Sequence, residues 1–478
     1  MLASAVSFWI SGVDARRTDV EAHVERGVPA FAVVGMADRA VQEARQRVRS
    51  GILSASYDFP GVRVTVNLAP ARERKEGAGF DLAIALAVLA ASGQVPTGLV
   101  SRVAAVAELG LDGRLRPVGG VLACAEAARV LGLEAIVVAP ENAAEAALAE
   151  AVPVLAAHDL YEAVEMLCGR ADPPPPPPAA PVTVIRQPDM ADIRGQSGAR
   201  RAVEVAAAGG HNLLMVGPPG SGKTMLARRM PGILPPPTLS ELLEITRIHS
   251  VAGLLNGSGR AHGRPFRAPH HSASQAALIG GRTLRPGEVT LAHRGVLFLD
   301  ELAEFNRAAL EALRVPLEDG EVLISRALGS VRMPARCVVV AAMNPCPCGH
   351  RGDPRRECLC PPRRLEAYRT RISGPLADRF DLRVEVPRAE AHGAPGEPSE
   401  RIAQRVAVAR SLLMERKPQP SGDADRFLRS AVERLALSAR SSDRIGRVAA
   451  TVAALDGRDA VLEDDMAEAL SYRLDVSR

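Results

Sequence analysis

A chain of 478 residues with 47% hydrophobic and 24% charged residues has room for about three domains, each with its own core. A net charge of +4 permits an anionic partner without demanding one, and 3% aromatic residues with a single Trp argue against stacking of single-stranded bases as the main binding mode. The longest apolar run, 82–91, is too short to span a bilayer, and the N-terminus lacks the charged-then-apolar layout of a signal peptide, so a cytoplasmic protein without membrane contact is expected.

Residues 1–170 alternate strand and helix signals and are expected to form an α/β domain. Val62-Arg63-Val64-Thr65-Val66 alternates as a half-buried strand does. A helix is expected over 80–91 and another over 121–130, which leads through Gly132 into the strand Ala135-Ile136-Val137-Val138. Two stretches, Lys75-Glu76-Gly77-Ala78-Gly79-Phe80-Asp81-Leu82 and Gly113-Arg114-Leu115-Arg116-Pro117-Val118-Gly119-Gly120, resemble the proteolytic domain of Lon and the related C-terminal domain of RadA. In Lon-like sequences a serine lies inside the first motif and a lysine follows the second. Here Ala78 and Gly79 stand where the serine is expected, and Val121-Leu122-Ala123 follow Gly120. A Ser–Lys dyad needs both groups. The resemblance therefore implies an inactive Lon-like domain with a binding or assembly role.

Residues 171–183 form a proline-rich linker. Its run of six consecutive prolines, 173–178, favours polyproline II, a stiff spacer; a ligand for another protein's groove is the alternative reading.

The core of the chain, 184–390, opens with Asp192-Ile193-Arg194-Gly195-Gln196 and a helix over 199–208. The apolar strand Leu213-Leu214-Met215-Val216 then runs into Gly217-Pro218-Pro219-Gly220-Ser221-Gly222-Lys223-Thr224, and Met225-Leu226-Ala227 continue a helix. Strand, glycine-rich turn and helix are the context of a Walker A phosphate loop. Three glycines let successive N–H groups curl toward a polyphosphate, and the helix N-terminus adds partial positive charge. Lys223 supplies a full charge to the β- and γ-phosphates of ATP, and the Thr224 hydroxyl suits Mg²⁺.

A second buried strand, Val296-Leu297-Phe298-Leu299, delivers Asp300 and Glu301 to its C-terminal end, where open α/β sheets bind ligands. Asp300 is placed to hold Mg²⁺ through water, and Glu301 to orient and deprotonate the attacking water. A third strand over 337–341 leads to Asn344, whose amide suits the γ-phosphate or that water. Arg379 lies in Ser373-Gly374-Pro375-Leu376-Ala377-Asp378-Arg379-Phe380-Asp381; on its residues alone it reads as a surface ion pair with Asp378 or Asp381.

Residues 391–478 read as a C-terminal helical lid. Ile402, Val406, Ala409 and Leu413 share one helical face, and Ile445, Val448, Val452 and Leu455 another. Ser438-Ala439-Arg440 opens the second helix. Arg440 is placed to reach the γ-phosphate, with Arg444 one turn on as the alternative.

Four of the seven cysteines, Cys346, Cys348, Cys358 and Cys360, cluster after Asn344. In a reducing compartment they suggest Zn²⁺ before disulfides, although C-x-C is tighter than the usual C-x₂-C, and four reduced thiols near a loop are the alternative. Arg351, Arg355, Arg356, Arg363, Arg364, Arg369 and Arg371 crowd the same region and make a phosphate-seeking surface, suited to a DNA backbone without base reading, unless the loop is merely solvated.

Together these motifs resemble the AAA+ superfamily in its magnesium-chelatase clade. Phe266-Arg267-Ala268-Pro269-His270-His271-Ser272, Gly280-Gly281-Arg282, Pro286-Gly287-Glu288-Val289-Thr290-Leu291-Ala292-His293-Arg294-Gly295, Pro316-Leu317-Glu318-Asp319-Gly320 and Asn344-Pro345-Cys346-Pro347-Cys348-Gly349 resemble the ComM/YifB family. The resemblance covers nearly the whole chain. It implies a Lon-like α/β domain, a P-loop core with a parallel sheet and a helical lid. It further implies a homo-hexameric ring with ATP sites between subunits, Arg379 as an arginine finger on the neighbour's nucleotide, and action on DNA. Ala377 and Phe380 depart from the usual finger motif without removing a catalytic group. The competing expectations are a chelatase-like protein-remodelling or metal-insertion motor and, disfavoured by the missing dyad, an ATP-dependent protease.

Overall fold

The computed structural model describes the chain except for residues 36–38, 72–74, 76, 151, 176–186, 256–258, 282–283, 327–328, 354, 389–393 and 474–478. Glu76, Arg282, the prolines 176–178 and the expected start of the core at 184 thus lie outside the described residues.

The N-terminal part is built on a seven-stranded sheet. Strands β1 (Leu2–Ser11) and β2 (Asp14–Glu25) form an antiparallel hairpin that turns at Gly12, whose φ of 68° favours glycine. With β3 (Ala30–Val34), β4 (Arg63–Ala69), β5 (Val103–Val106), β6 (Ala135–Val138) and β7 (Val154–Ala156), the order is β3-β4-β2-β1-β5-β6-β7. Along β4, Val64, Val66 and Leu68 are buried while their neighbours are not, the alternation expected from sequence. The helices of eight or more residues are α1 (Arg39–Ser54), α2 (Asp81–Ala91), α3 (Val121–Val130), α4 (Pro140–Ala147) and α5 (Leu160–Leu167). Every residue of α2 is buried, because its Ala, Leu, Ile and Val side chains are apolar on all sides and pack between the sheet and α1. Its one charge, Asp81, accepts two bonds from the Arg47 guanidinium (2.6 and 3.1 Å) and one from the Leu109 N–H. The Asp81 of the Lon-like motif is thereby a structural pin.

In the second part, α6 (Ser197–Gly209) precedes β8 (Leu213–Val216), followed by α7 (Lys223–Arg229), α8 (Leu239–Val251), β9 (Phe266–Arg267) and β10 (Val296–Leu299). An antiparallel hairpin of β11 (Glu321–Arg326) and β12 (Gly329–Pro334) leads into β13 (Val338–Met343). Helix α9 (Pro362–Arg369) and strand β14 (Leu382–Glu385) follow. The sheet order β9-β10-β13-β8-β14 is parallel throughout. The third strand begins one residue later than expected and runs on to Met343. Pairing of Val216 with Met343 and of Leu299 with Ala341 brings the ends of β8, β13 and β10 side by side on one edge. Asn212 locks this sheet at its other edge. Its side chain accepts from Val339 N–H and donates to the Arg379 carbonyl, and its backbone exchanges bonds with Asp381 and Leu382.

Four C-terminal helices complete the chain: α10 (Ser399–Glu415), α11 (Gly422–Leu435), α12 (Ala439–Leu455) and α13 (Glu463–Ser471). Ile402, Val406, Ala409, Ile445, Val448, Val452 and Leu455 are buried in one core with α6 and one face of the sheet; Leu413 packs at its margin, only partly buried. The opposite face packs α8 and the β11–β12 hairpin. Among the described residues no helix is long and apolar enough to cross a membrane.

Candidate active site

The turn after β8 crosses the carboxyl edge of the sheet, and its glycines do different work. Gly220 and Gly222 adopt φ of 76° and 93°, the left-handed backbone that turns N–H groups inward. Gly217 has no such angle. A Cβ there would strike the Val386 carbonyl, so this glycine permits close packing onto the end of β14. That corrects the expectation that all three glycines curl the loop.

Lys223 is 8% exposed. Its ammonium donates to the carbonyls of Gly217 (2.6 Å) and Pro218 (2.9 Å) and approaches Ser221 Oγ (3.4 Å) and Asn344 Oδ1 (3.5 Å). Burial pushes its pKa down, partly offset by Asp300. The loop therefore holds a desolvated cation on its own carbonyls, where a polyphosphate is a stronger partner.

Thr224 Oγ1 donates to Asp300 Oδ2 at 2.9 Å. A hydroxyl and a carboxylate in contact form a hard-oxygen pair that fits a hydrated Mg²⁺. Asp300 Oδ1 accepts the Glu301 N–H, and Glu301 sits at φ 52°, a conformation uncommon outside glycine. Its carboxylate lies 3.1 Å from His271 Nδ1. The His271 ring lies tilted against that of His270, 4.0 Å between centroids, and His270 bonds Ser272 Oγ. His271 belongs to a family-marker stretch with no role assigned from sequence; it lies 30 residues before Glu301, and nothing in that spacing encodes the contact. Lys223, Thr224, Asp300, Glu301 and Asn344 together line one open cleft of about 430 Å³.

The remaining two residues lie apart from these. Arg379 does not line the cleft. Its guanidinium pairs with Glu318 and donates to the carbonyls of Arg314 (3.1 Å) and Pro375 (2.6 Å). The ion pair expected with Asp378 or Asp381 is absent among the described residues, because Asp378 faces Arg473, and Asp381 faces Arg444 and Arg447. Arg440 is exposed in the first turn of α12 and does not line the cleft. Arg444, its alternative, is 3.7 Å from Asp381.

The four clustered cysteines come together. Cys346 and Cys348 sulfurs are 3.3 Å apart, Cys348 and Cys358 3.7 Å, Cys346 and Cys358 3.6 Å, and all four sulfurs lie within 4.8 Å of one another. None is disulfide-bonded. A tetrahedral Zn–S₄ centre with bonds of about 2.3 Å has sulfur–sulfur edges of about 3.8 Å, so the donor set fits zinc. The His350 N–H brings the Cys348 thiol down to about 6. The cluster also abuts the phosphate loop, since a Cβ on Gly349 would come within 2.6 Å of Pro219. Of the neighbouring arginines, Arg355, Arg356, Arg363, Arg364 and Arg369 are exposed, whereas Arg371 is engaged by Glu304 and the Ala303 carbonyl and is less available than expected.

In the N-terminal part, Ala78, Gly79, Gly119 and Cys124 line a pocket of about 290 Å³ that contains neither serine nor lysine among its described lining residues. Burial pushes the Cys124 thiol far up, which leaves it un-ionised and inert. Lys75 is buried and donates to the Pro70 carbonyl.

Residues 189–394 match the family model for magnesium chelatase, subunit ChlI; 20–142 match that for subunit ChlI of Mg-chelatase; and 396–473 match that for the ChlI C-terminal region. The chain is 44% identical over 497 residues to an uncharacterised protein of Mycobacterium tuberculosis, covering 99% of this chain and 98% of that one. It is 42% identical over 491 residues to competence protein ComM of Haemophilus influenzae (97% and 95% covered). It is 40% identical over 484 residues to the uncharacterised protein YifB of Escherichia coli (97% and 95% covered). The chain belongs to the ComM/YifB family of magnesium-chelatase-like AAA+ ATPases. Membership in the ComM/YifB family brings with it ATP as substrate and Mg²⁺ as its companion ion.

Proposed function

We propose that the protein is a ring-forming ATPase that acts on DNA by gripping its backbone without reading sequence, with ATP hydrolysis driving translocation or branch migration. The observation that carries the ATPase half is the convergence of Lys223, Thr224, Asp300, Glu301 and Asn344 on one cleft. In this reading 217–224 cradles the triphosphate, and Lys223 moves from its own loop carbonyls to the β- and γ-phosphates. Thr224 and Asp300 would hold Mg²⁺, which supplies positive charge to the phosphate oxygens. Glu301 accepts a proton from the water that attacks the γ-phosphorus as the bond to ADP breaks. Asn344 aligns that water. Arg379, swung from Glu318, stabilises charge on the neighbouring subunit's phosphate, which makes a closed ring, a homo-hexamer, the working form. Arg440 reaches the γ-phosphate only if α12 moves toward the cleft.

The DNA half is supported by the exposed arginines 355, 356, 363, 364 and 369 within and just after the cysteine-bearing segment and by the name of the ComM relative, a competence protein. Cys346, Cys348, Cys358 and Cys360 would hold Zn²⁺ as a cross-link that fixes this loop. The proposed division is 1–170 as an inactive Lon-like domain, 171–183 as linker, 184–390 as ATPase core and 391–478 as lid. The second reading, a protein-remodelling or metal-insertion motor, is favoured by the chelatase-subunit family models. ATPase rate measured against single-stranded, duplex and forked DNA at two salt concentrations separates them. DNA stimulation that weakens with salt supports the first reading; a rate indifferent to all three favours the second.

A further inference from the structure

The pocket of the N-terminal part holds neither serine nor lysine among its described lining residues, yet the second Lon-resembling motif makes contacts of its own. Gly119 and Gly120, at the end of the second Lon-like motif, meet α8 of the ATPase core. The Gly120 N–H donates to Ser250 Oγ at 2.7 Å, and Ser250 in turn donates to Glu145. Glu145 also accepts the Leu122 N–H at 2.7 Å. Ser250 and Glu145 are both buried, 3% and 4% exposed. The approach is tight, since a Cβ on Gly119 would lie 2.8 Å from the Ser250 carbonyl oxygen. Beside it, Arg247 of α8 reaches Glu126 (3.3 Å) and Asp14 (3.5 Å).

A second contact falls on the hairpin. The β1–β2 turn presses Gly12 against Val331 and Met333 of β12, and Val13 is buried inside the core that holds Val331, Met333 and Ile324. Both gripped elements connect to strands whose far ends meet the ATP cleft. On α8, Glu244 bonds His293 (2.9 Å) and Arg294 (2.7 Å), and Arg294 lies two residues before β10, which carries Asp300 and Glu301. The β12 strand is separated only by 335–337 from β13, which carries Asn344.

We propose that the N-terminal domain is a brace on the entry ends of β10 and β13, setting the rate at which the ATP cleft turns over, and that it processes no substrate of its own. The inference rests on Asp300, Glu301 and Asn344 serving ATP hydrolysis. A brace constrains the orientation of these groups in the transition state more than the phosphate-binding amides of the loop after β8. Loosening it should therefore move kcat rather than KM.

The test uses the full chain with Gly119→Ala, which wedges the contact, Arg247→Glu, which repels Glu126 and Asp14, and the reversed pair Arg247→Glu with Glu126→Arg. Each single variant should lower kcat about three- to tenfold with KM for ATP unchanged, and the reversed pair should recover most of the loss. Backbone hydrogen exchange in β11, β12 and α8 should rise about tenfold in the single variants while β8 stays protected. If exchange in the hairpin and α8 stays at the wild-type rate in both single variants, there is no brace. If exchange rises and kcat does not fall, the brace does not govern turnover. Should Gly119→Ala fail to fold, Arg247→Glu and its reversal decide alone. Failure of the site assignment appears separately, as a Glu301→Gln variant that still hydrolyses ATP.

Discussion

Arg379 and Glu318 are paired within one chain, with the guanidinium also donating to the carbonyls of Arg314 and Pro375. If Arg379 acts on a neighbour's phosphate as proposed, it must first leave Glu318, which would then compete with that phosphate. Arg379→Ala should keep ATP binding, because Lys223 and the loop amides remain, and lose about 10³-fold or more in hydrolysis. Lys223→Ala subunits, which lose phosphate binding, should restore activity when mixed with Arg379→Ala subunits, because some interfaces then join an intact loop to an intact arginine. A single mutant with near-normal ATPase, or a dead mixture under verified subunit exchange, would show that Arg379 does not work across an interface.

Glu301→Gln should bind ATP and fail to hydrolyse it, measured as retained nucleotide in a filter assay against phosphate release. His271→Ala tests the contact at 3.1 Å. Removing a partly exposed partner worth about 1 kcal/mol should change the basal rate about fivefold, upward if His271 holds the carboxylate back. ATP affinity should stay as it is. Equal basal rates in His271→Ala and wild type would mean that the contact has no part in turnover.

Purified reduced protein, handled without chelator, should carry about one Zn²⁺ per chain. Replacing Cys346 and Cys358 by serine should remove it. It should also lower ATPase activity, since Gly349 packs on Pro219 of the phosphate loop. Metal analysis that finds no zinc in the wild-type protein would refute this assignment.

His211 gives a pH dependence with a definite sign. It is buried against Thr451 (2.8 Å) near Asp381, and burial, opposed by Asp381, pulls its pKa from 6.5 down to about 4. Between these values the unfolded chain takes up a proton that the folded chain refuses. Stability is therefore intact above about 6.5 and falls as the pH drops toward about 4, by up to about 3 kcal/mol. Urea unfolding at pH 7.5 and 5 should show the loss in wild type and a smaller one in His211→Gln, which can still bond Thr451.

Much of this was legible in the sequence because it was local. A helix over 121–130 and strands over 135–138, 213–216 and 296–299 follow from local composition, and each appears with those bounds. The phosphate loop is legible in its eight residues with their strand and helix flanks, and the four cysteines in their clustering, although their C-x-C spacing is tighter than the usual C-x₂-C. What was not legible depends on chain segments far apart. Glu318 is 61 residues from Arg379, Ser250 is 130 from Gly120, and Gly217 meets Val386 across the sheet. No periodicity encodes such meetings. The shared core of the C-terminal helices with α6 was likewise hidden, because amphipathic faces announce that they will be buried without naming the surface that buries them.

Asn212 stands one residue before β8, and its side chain donates to the carbonyl of Arg379 while its backbone holds Asp381 and Leu382. The phosphate loop begins only five residues further along the same strand. If the chain forms the proposed ring with Arg379 as its finger, a tug on one subunit's arginine would be a tug on the root of that subunit's own nucleotide cradle. Each chain would sense the contents of the next site at the base of its own, and firing could pass around the circle in order, with no separate messenger between stations.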